Sequence, residues 1–494
     1  MNMKWNNAIA PLEVLSRGGG TNPVITDIVH DSRNVKPGAI FVAVPGFTDQ
    51  GDLYIADAVS RGAAAVVSEH EQSESGVPWV QVTNSRKALA ILAKHLWNIQ
   101  FDSYITVGIT GTNGKTTIAG MYHRLFQNIF GREYSWLFST ITYTLGSRTQ
   151  QAHHTTPEAS DLLRFINTAD KKPKAITMEV SSHALELYRV EGFTFDLAVW
   201  TNLSQDHLDF HKTMEAYYQA KKKLFIHNLK SEGAAIINTD DTWGARLSKE
   251  LSDVRQVTYG CAESTDVHIV KSDSTWSGTE ITIKYKKKEM HFRSSLCGFF
   301  NVYNMTALVA GALVRNITEK DIQKCFDGVR LIPGRMERVP VFSDFSVIVD
   351  YAHTPDALEN VLSTAEKLTE GRLFCVFGCG GDRDRKKRPL MAQVVARICD
   401  EAVVTSDNPR TEEPLKIIDE IKEGMPLDFP CHIIPDRREA IKKALTVSRR
   451  GDCVVIAGKG HENYQEINGV RHHFDDREVV VELSKEMGCC SEQE

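Results

Sequence analysis

A segment of small and polar residues, "VGITGTNGKTTIAG", carries residue types that bind phosphate groups. An apolar strand leads into Gly111 and Gly114, after which Lys115 and Thr116 enter a predicted helix. Glycines allow close backbone approach, and several N–H groups and the helix dipole then converge on one anion. Lys115 would add a positive charge and Thr116 a hydroxyl for Mg²⁺. The pattern predicts a phosphate loop; the alternative is a plain strand-to-helix turn with an exposed lysine.

Polar side chains also follow the next two apolar strands. Glu179 ends "AITMEV", and His183 comes shortly after it in "SSHAL". The segment "TNLSQDHLDFH" after the following strand contributes Asp206, His207, Asp209 and His211. Because carboxyl ends of parallel strands share one sheet edge, we expect these groups to converge there, with Glu179 as the metal partner of the phosphate loop. The alternative makes Glu179 a helix cap and His183 a core histidine.

Alternating strand and helix patterns predict an α/β fold with three domains. Residues 1–100 should form a small α/β N-terminal domain, which contains "AIFVAV" and "AAAVVS". Residues 101–332 should form a central P-loop domain with a mainly parallel sheet. Residues 333–494 should form a Rossmann-like C-terminal domain that contains "SVIVDYAH" and "CVVIAGKGHE". Pro333 and Gly334 are a plausible hinge between the last two domains.

The composition excludes several classes of protein. The 494 residues are 42% hydrophobic and 25% charged, which is ordinary for a folded globular protein. A net charge of -6 gives no basic field for nucleic acid or a membrane surface. The start shows no signal-peptide pattern, no apolar run suits a membrane span, and ten cysteines show no metal-ligand spacing. We therefore expect a cytoplasmic monomer that binds neither nucleic acid nor membranes.

An ordered series of motifs extends along nearly the whole chain. It comprises "HDSRNVKPGAIFVA", "GTNGKTT", "TTPE", "MEVSSHAL", "TNLSQDHLDFH", "YYQAKKKLF", "NVYNM", "PGRME", "DYAHTPDAL", "GCGGDRDRKKRP", "DNPRTEEP" and "GKGHENYQ". In this order the motifs resemble the Mur ligase family of ATP-dependent amide-bond formers. The resemblance implies an acid–amino-acid ligase of peptidoglycan synthesis, with ATP, UDP-N-acetylmuramoyl-L-Ala-D-Glu and a diamino acid as small-molecule substrates. An acyl phosphate of the D-glutamate would be the intermediate, and Mg²⁺ would assist.

The resemblance also implies roles for individual residues. The catalytic set would be Lys115, Glu179, His207 and Lys221, with Mg²⁺ served by Thr116, Glu179, His207 and Lys221. ATP would be bound by Thr110, Gly111, Thr112, Asn113, Gly114, Lys115, Thr116, Asn301, Arg335 and Asp350, while Tyr351 and His353 complete the same edge. The UDP-linked substrate would contact Ser32, Phe47, Thr48, Asp49, His154, Thr155, Thr156, Ser181 and Arg189.

Lys221 lies in "QAKKKLF", which by itself predicts a solvated helix face. The resemblance instead implies that Lys221 carries CO₂ as a carbamate (N6-carboxylysine) and binds a second magnesium ion. The neighbouring charges of Lys222 and Lys223 favour the neutral amine that CO₂ attacks. His154 and Leu187 depart from the family pattern, where asparagine and glutamine are common.

The implied amino-acid cradle contains Arg383, Asp407, Asn408, Pro409, Arg410, Gly458 and Glu462. Arg410 in "DNPR" could grip the distal carboxylate of meso-2,6-diaminopimelate bidentately, which favours this substrate over L-lysine. Another diamino acid and a folylpolyglutamate-type ligase are the alternatives, as is a nucleotide-binding regulator without catalysis. A dinucleotide fingerprint in "GCGGDR" is disfavoured by its glycine spacing.

Overall fold

Short runs of buried aliphatic residues form the strands of three larger sheets in the computed structural model, which describes residues 2–46, 50–152, 154–329 and 332–488. The strands are β1 (Met3–Lys4), β2 (Ser16–Gly18), β3 (Val24–Ile25), β4 (Asp27–Val29), β5 (Ala39–Val42), β6 (Ala65–Ser68), β7 (Trp79–Gln81), β8 (Ile105–Thr110), β9 (Ser135–Phe138), β10 (Thr142–Leu145), β11 (Arg148–Gln151), β12 (Ala175–Glu179), β13 (Phe195–Trp200), β14 (Leu229–Asn238), β15 (Gln256–Gly260), β16 (Val267–Thr275), β17 (Gly278–Tyr285), β18 (Lys288–Ser294), β19 (Glu337–Arg338), β20 (Ser346–Asp350), β21 (Leu373–Phe377), β22 (Glu401–Val404), β23 (Cys431–Ile433), β24 (Cys453–Ala457), β25 (Tyr464–Ile467) and β26 (Val470–His473).

Helices alternate with these strands. They are α1 (Trp5–Ala8), α2 (Ile55–Ser60), α3 (Ser85–Trp97), α4 (Lys115–Phe130), α5 (Ala159–Thr168), α6 (Ser182–Glu186), α7 (Leu208–His211), α8 (Met214–His227), α9 (Thr242–Glu250), α10 (Phe299–Val314), α11 (Glu319–Gly328), α12 (Pro355–Leu368), α13 (Lys387–Ile398), α14 (Pro414–Lys422), α15 (Arg437–Val447) and α16 (Asp476–Glu486). In the part of the chain that the structure describes, none of them is both long enough and apolar enough for a membrane span.

The described chain divides into two compact units. The first contains residues 2–110, 126–199 and 219–235, and the second contains residues 111–125, 200–218 and 236–488. In the first unit one sheet has the order β2-β7-β6-β5-β4, and β4, β5, β6 and β7 run parallel. Another has β11-β10-β9-β12-β8-β13, where β9, β12 and β8 run parallel. Such parallel ladders are the basis of the predicted α/β class.

The second unit contains a six-stranded sheet with helices on both faces. Its order is β19-β20-β24-β21-β22-β23, and all neighbours except β19 pair in parallel. Side chains alternate between the faces, so Ile348 and Cys375 pack in one core with α12 to α14. Val347 and Phe374 pack in the other core with α15 and α16. The carboxyl ends of these parallel strands form the edge that carries the polar motifs.

Helix α12 has a start signal that its sequence supplies directly. The Thr354 hydroxyl accepts a hydrogen bond from the Ala357 N–H at 3.3 Å, and Pro355 occupies the first turn. This arrangement satisfies a free N–H group, and proline has no N–H group to lose there. The helix therefore begins at a fixed point, directly after β20 and its polar end.

Removal of one partner of a buried ion pair should strongly destabilise the second unit. Arg437 and Asp476 form two 2.8 Å hydrogen bonds with 0% exposure on both sides. Asp476→Ala should lower the free energy of unfolding by about 3–5 kcal/mol, because it leaves an uncompensated buried charge. The control Asp419→Ala removes an exposed pair with Lys422 and should cost less than about 1 kcal/mol. Denaturant unfolding of both variants checks this, and equal losses would contradict it.

Candidate active site

The phosphate loop is held in shape by the strand end that follows β13. The Asn202 side-chain oxygen accepts from the Asn113 N–H at 2.9 Å, and its backbone oxygen accepts from the Thr112 N–H at 2.9 Å. The Thr201 hydroxyl donates to the Asn113 oxygen at 2.7 Å. Gly114 has φ +85°, and a Cβ there would lie 2.5 Å from the Asn304 side-chain oxygen. The loop is thus pre-formed, and the positive φ and close contact at Gly114 require glycine there.

Lys115 begins α4 and lies against the same loop. Its Nζ donates to the Gly111 oxygen at 2.9 Å and to the Thr112 oxygen at 2.8 Å. The N-terminus of a helix of 16 residues therefore meets a lysine and a glycine-rich turn at one place. These are the elements of an anion site, as the sequence predicts.

A cavity of about 290 Å³ opens beside this loop within the second unit. Its polar wall contains loop and strand-end residues, and its apolar wall comes from α10 and α12. The lining includes Asn113, Thr116, Asp240, Phe299, Tyr303, Asn304, Asp350, Asp356 and Val361. Aromatic and aliphatic groups next to a phosphate loop suit a nucleotide, whose base is apolar on its faces and whose phosphates are charged.

Asp356 connects α12 to the phosphate loop. Its carboxylate accepts from Asn113 Nδ2 at 2.6 Å and from the Ser204 hydroxyl at 3.1 Å. Burial raises the pKa of Asp356, and these two hydrogen bonds oppose that effect. Sequence reasoning missed this residue, because an acid in the first helical turn is common and already explained by the helix dipole.

Arg335 reaches the phosphate loop from the segment before β19. Its Nη2 donates to the Thr116 hydroxyl at 3.2 Å, and its guanidinium lies 4.7 Å from the centre of the Tyr351 ring. Asp350 supports this arrangement, since it accepts from the N–H groups of Met336 at 2.6 Å and Ala352 at 2.7 Å. Burial raises the pKa of Asp350, and the nearby Arg335 charge opposes this.

Asn301 is placed one layer behind the cavity wall. Its Nδ2 donates to the Cys297 oxygen at 2.7 Å, and its Oδ1 accepts from Asn304 Nδ2 at 2.8 Å. Asn304, which lines the cavity, is therefore oriented by Asn301. The motif "NVYN" contains both residues, and only Asn301 is predicted from the sequence.

Asp206 lies between two histidines in the second unit. Its Oδ2 is 3.3 Å from His207 Nε2 and 3.8 Å from His353 Nε2. Burial would raise the pKa of Asp206, but His207 and the charge of Lys387 hold it well below its ordinary value. Desolvation and Lys387 lower the pKa of His353 to about 4, so its ring is neutral near neutral pH. His211 stacks on Tyr217 instead, with ring centres 4.9 Å apart.

Glu179 is fully buried at the end of β12 in the first unit. Its Oε1 accepts from the Thr140 N–H at 2.8 Å and its Oε2 from the Thr140 hydroxyl at 3.0 Å.

Lys221, in α8, is only 1% exposed, which contradicts the solvated helix face that its lysine run predicts in isolation. Among the residues with described positions, no group of three or more His, Cys, Asp or Glu side chains is arranged to hold a metal ion.

Several residues implied for the UDP-linked substrate surround the end of β12. The Thr156 hydroxyl donates to the backbone oxygen of Glu179 at 2.8 Å and accepts from the Ser181 N–H at 3.2 Å. Arg189 Nη1 donates to the backbone oxygen of Thr156 at 3.2 Å. The hydroxyl oxygens of Thr155 and Thr140 lie 3.2 Å apart. The structure thus brings these predicted residues together.

The remaining residues of that predicted set lie elsewhere. Ser32 is buried at the start of a short 3₁₀ helix in the N-terminal part of the first unit. The His154 backbone forms hydrogen bonds with the Tyr143 hydroxyl through both its N–H and its oxygen. Phe47, Thr48 and Asp49 lie outside the described residues.

The predicted amino-acid cradle lies at the carboxyl edge of the six-stranded sheet. Asn408 Nδ2 donates to Glu462 Oε2 at 2.8 Å, and Arg410 Nη1 donates to the Gly381 oxygen at 2.7 Å. Gly458 has φ +115°, and a side chain there would collide with the Asp407 carboxylate. An arginine and two carboxylates thus converge on one loop cluster, as a zwitterionic amino acid requires.

The β25–β26 hairpin fixes the cradle. Arg410, at φ 51°, donates its N–H to the Glu466 oxygen at 3.0 Å and accepts from the Asn468 N–H at 2.7 Å. Gln465 Nε2 donates to the Asp407 oxygen at 2.7 Å. Arg383 is exposed beside the cluster and donates to the Asp382 oxygen at 2.9 Å. Lys459, which sequence reasoning also missed, is buried beneath these groups.

Family models match three successive parts of the chain. The Mur ligase family catalytic domain matches residues 24–97, the Mur ligase middle domain matches residues 109–312, and the Mur ligase glutamate ligase domain matches residues 334–460. Together the three matches cover most of the sequence, and they follow one another along the chain without overlap.

Named relatives are similar over nearly their whole length. A UDP-N-acetylmuramoyl-L-alanyl-D-glutamate–2,6-diaminopimelate ligase of Syntrophomonas wolfei is 41% identical over 97% of this chain and 99% of its own. The ligase of the same name from Aquifex aeolicus is 43% identical over 94% of this chain and 95% of its own.

Solved structures agree with these matches. A structure of a ligase with the same name aligns with a TM-score of 0.67 at 34% identity, covering 99% of this chain and 100% of that one. A folylpolyglutamate synthase of Mycobacterium tuberculosis aligns with a TM-score of 0.61 at 18% identity, covering 76% of this chain and 91% of that one, which shows a shared fold alone. The predicted α/β fold class with three domains is confirmed. The chain belongs to the Mur ligase family.

Proposed function

We propose that this protein is an ATP-dependent ligase that joins meso-2,6-diaminopimelate to the D-glutamate of UDP-N-acetylmuramoyl-L-Ala-D-Glu in peptidoglycan synthesis. One observation carries the proposal most directly. A pre-formed phosphate loop closed by Arg335 and a cradle built from Asp407, Arg410 and Glu462 occur in the same chain. The named relatives at about 40% identity support the same reaction.

The first half-reaction transfers a phosphoryl group. The γ-phosphoryl group of ATP passes to a carboxylate oxygen of the D-glutamate, which gives an acyl phosphate and ADP. Negative charge accumulates on the phosphoryl oxygens in this step, and catalysis consists mainly of positioning and electrostatic stabilisation. Lys115, Arg335 and the N–H groups at the start of α4 would supply positive charge and donors to these oxygens.

The second half-reaction forms the amide. The neutral amine of the amino acid attacks the acyl carbonyl carbon, the tetrahedral intermediate expels phosphate, and the amine loses its proton. The cradle aligns the amine for attack by holding the distant end of the amino acid, which lowers the entropic barrier. Water must be excluded meanwhile, because it would hydrolyse the acyl phosphate.

Mg²⁺ fits the donor chemistry of the chain. We propose that the Thr116 hydroxyl, the Glu179 carboxylate and His207 bind the ion. Thr116 and Glu179 are buried oxygen donors, which is the ligand type that Mg²⁺ prefers beside phosphate oxygens. When bound, the ion neutralises charge that develops on the transferred phosphoryl group. The carbamate of Lys221 is a further proposal. It is supported by the burial of this lysine, since a buried ammonium is costly and CO₂ converts the amine into an anionic oxygen ligand.

The cradle favours diaminopimelate over lysine on chemical grounds. Diaminopimelate carries a carboxylate beside its distal ammonium, and lysine does not. Arg410 matches that carboxylate with a planar fork, and Asp407 and Glu462 match the ammonium. Lysine would leave the Arg410 charge without its partner. We place the reaction in the cytoplasm, where ATP and the nucleotide-linked substrate are available, and expect a monomer to carry it out.

The reaction itself can be tested with purified protein. Product formation should require ATP, Mg²⁺ and the UDP-linked dipeptide, and meso-diaminopimelate should be preferred over L-lysine and ornithine because only it satisfies Arg410. Mass spectrometry of the nucleotide product measures this, with a folate substrate as a further arm. Absence of an amide product with all reactants present would refute the proposal, and preference for lysine would refute the substrate assignment.

Arg410→Ala should weaken diaminopimelate use selectively. Loss of a charge-assisted bidentate contact is expected to raise the KM for diaminopimelate about ten- to hundredfold. The slow reaction with lysine should change little, because lysine has no distal carboxylate for Arg410 to bind. Arg397→Ala removes an exposed arginine paired with Glu359 and serves as the matched control. Steady-state kinetics with both amino acids check this, and an unchanged ratio of the two KM values would remove Arg410 from the account of selectivity.

Lys221→Ala should lower kcat about ten- to hundredfold, because it removes an oxygen ligand of the proposed metal site. Depletion of dissolved CO₂ should lower kcat of the unaltered protein, bicarbonate should restore it, and isotope-labelled bicarbonate should give a carbamate signal by NMR. Lys222→Ala, the next lysine in the same run, is the control. A CO₂-independent rate without a carbamate signal would contradict the modification.

A further inference from the structure

Lys459 is the most deeply buried cationic group of the amino-acid cradle. It follows β24 and has an exposure of 0%. Its Nζ donates to Asn408 Oδ1 at 3.2 Å and to the Tyr464 backbone oxygen, and it lies 3.6 Å from Glu462 Oε2. The half-reactions described above assign nothing to it. A lysine is almost never fully buried unless its charge has a specific partner.

The partners of Lys459 are the groups that shape the cradle. Asn408 Oδ1 also accepts from the Glu466 N–H at 2.9 Å, and Asn408 Nδ2 donates to Glu462 Oε2 at 2.8 Å. The ammonium, the amide and the carboxylate thus form a closed set of contacts. Lys459 and the Glu466 N–H both donate to Asn408 Oδ1, so the Asn408 side chain has one orientation. Its Nδ2 is thereby directed at Glu462 and fixes the position of that carboxylate.

Two carboxylates lie close together in this cluster. Burial would raise the pKa of Asp407, but Lys459 and Arg437 hold it below its ordinary value. Burial and the neighbouring Asp407 charge raise the pKa of Glu462, and Lys459 opposes that rise. The charged and titratable groups around the pair are Lys459 after β24, Arg437 in α15, Arg410 after β22, Tyr351 after β20 and Tyr464 in β25.

We propose that Lys459 is a positioning residue for the amino-acid substrate: its buried ammonium orients Asn408 and Glu462 and allows Asp407 and Glu462 to be anionic together. The inference rests on the proposed function. Two like charges in a poorly solvated site cannot both persist without a counter-charge, and one would take a proton. With Lys459 in place the cradle offers two negative charges to the distal ammonium of a diamino acid. Without it the cradle would offer one.

The sign of the pH dependence follows from this arrangement. The distal ammonium stays protonated well above neutral pH, so binding weakens only when Glu462 takes a proton as the pH falls. Removal of Lys459 raises the pKa of Glu462 further and moves that weakening to higher pH. Binding by a variant without this charge should therefore recover as the pH rises.

Lys459→Gln tests the role, because glutamine can still donate to Asn408 and Tyr464 but carries no charge. The KM of the variant for diaminopimelate near neutral pH should rise at least about tenfold, which corresponds to a rise of one unit in the pKa of Glu462. As the pH is raised, this KM should approach that of the unaltered protein. The KM for ATP and the melting temperature should change little. Lys442→Gln, an exposed lysine of α15, is the matched control. A tenfold rise that is equal at every pH, or accompanied by an equal rise in the KM for ATP, would indicate a structural role and overturn the proposal.

The unaltered protein provides a second test that does not depend on the folding of a variant. Its KM for diaminopimelate, expressed as the concentration of the species whose attacking amine is neutral, should be constant from neutral to mildly alkaline pH, because both carboxylates are ionised there. A KM that falls steadily across that range would mean that Glu462 is protonated despite Lys459, which overturns the proposal. If the unaltered protein forms no amide with diaminopimelate, the proposed function fails. If it does and Lys459→Gln behaves as the control does, only this inference fails.

Discussion

The hydrogen bond from the Asn113 side chain to the Asp356 carboxylate, 2.6 Å long, joins the phosphate loop to the first turn of α12. A phosphate loop can act only if its N–H groups stay directed at the anion, and its own glycines do not ensure this. Here Thr201 and Asn202 hold the loop from one side and Asp356 holds it from the other. Because α12 also lines the cavity beside the loop, the proposed nucleotide would contact the same helix that holds the loop.

The far end of α12 is held as well. Trp276, in the turn between β16 and β17, donates its indole N–H to the Leu368 oxygen at 2.6 Å and packs against the core of the six-stranded sheet. The helix thus has a polar anchor at its first turn and another at its last residue. Held at both ends, α12 keeps Asp356 directed at the phosphate loop.

Buried charges recur in the second unit, and each has partners. Arg437 faces Asp476, Arg388 faces Glu412 and Glu420, and Lys459 faces Glu462. Such pairs are expensive to desolvate and are weak evidence for stability in themselves. Their geometric value is clearer, since a buried pair with good hydrogen bonds fixes the direction of its side chains. At the proposed cradle, these fixed side chains would face the charged groups of a zwitterionic substrate.

Sequence reasoning located the phosphate loop and the "DNPR" segment because each is a local pattern whose chemistry depends on adjacent residues. The strand positions of Glu179 and Asp350 were also accessible, since buried strands end in polar residues at a predictable edge. Asp356 and Lys459 were missed because their roles depend on partners that lie 243 and 51 positions away in the chain. The burial of Lys221 was equally hidden, because a run of lysines predicts a solvated face until tertiary packing places one of them inside. The domain boundaries and the residue roles stay predictions.

The central claim is that the phosphate loop activates a carboxyl group by phosphorylation before an amine captures it. Transfer of heavy oxygen tests this most directly: the D-glutamate carboxylate is labelled, and the phosphate released during amide formation is examined by mass spectrometry. The account predicts that each phosphate carries one labelled oxygen. The carbon–oxygen bond of the acyl phosphate breaks during amide formation, and the released phosphate keeps the oxygen that came from the carboxylate. Unlabelled phosphate accompanying normal amide formation would contradict the account.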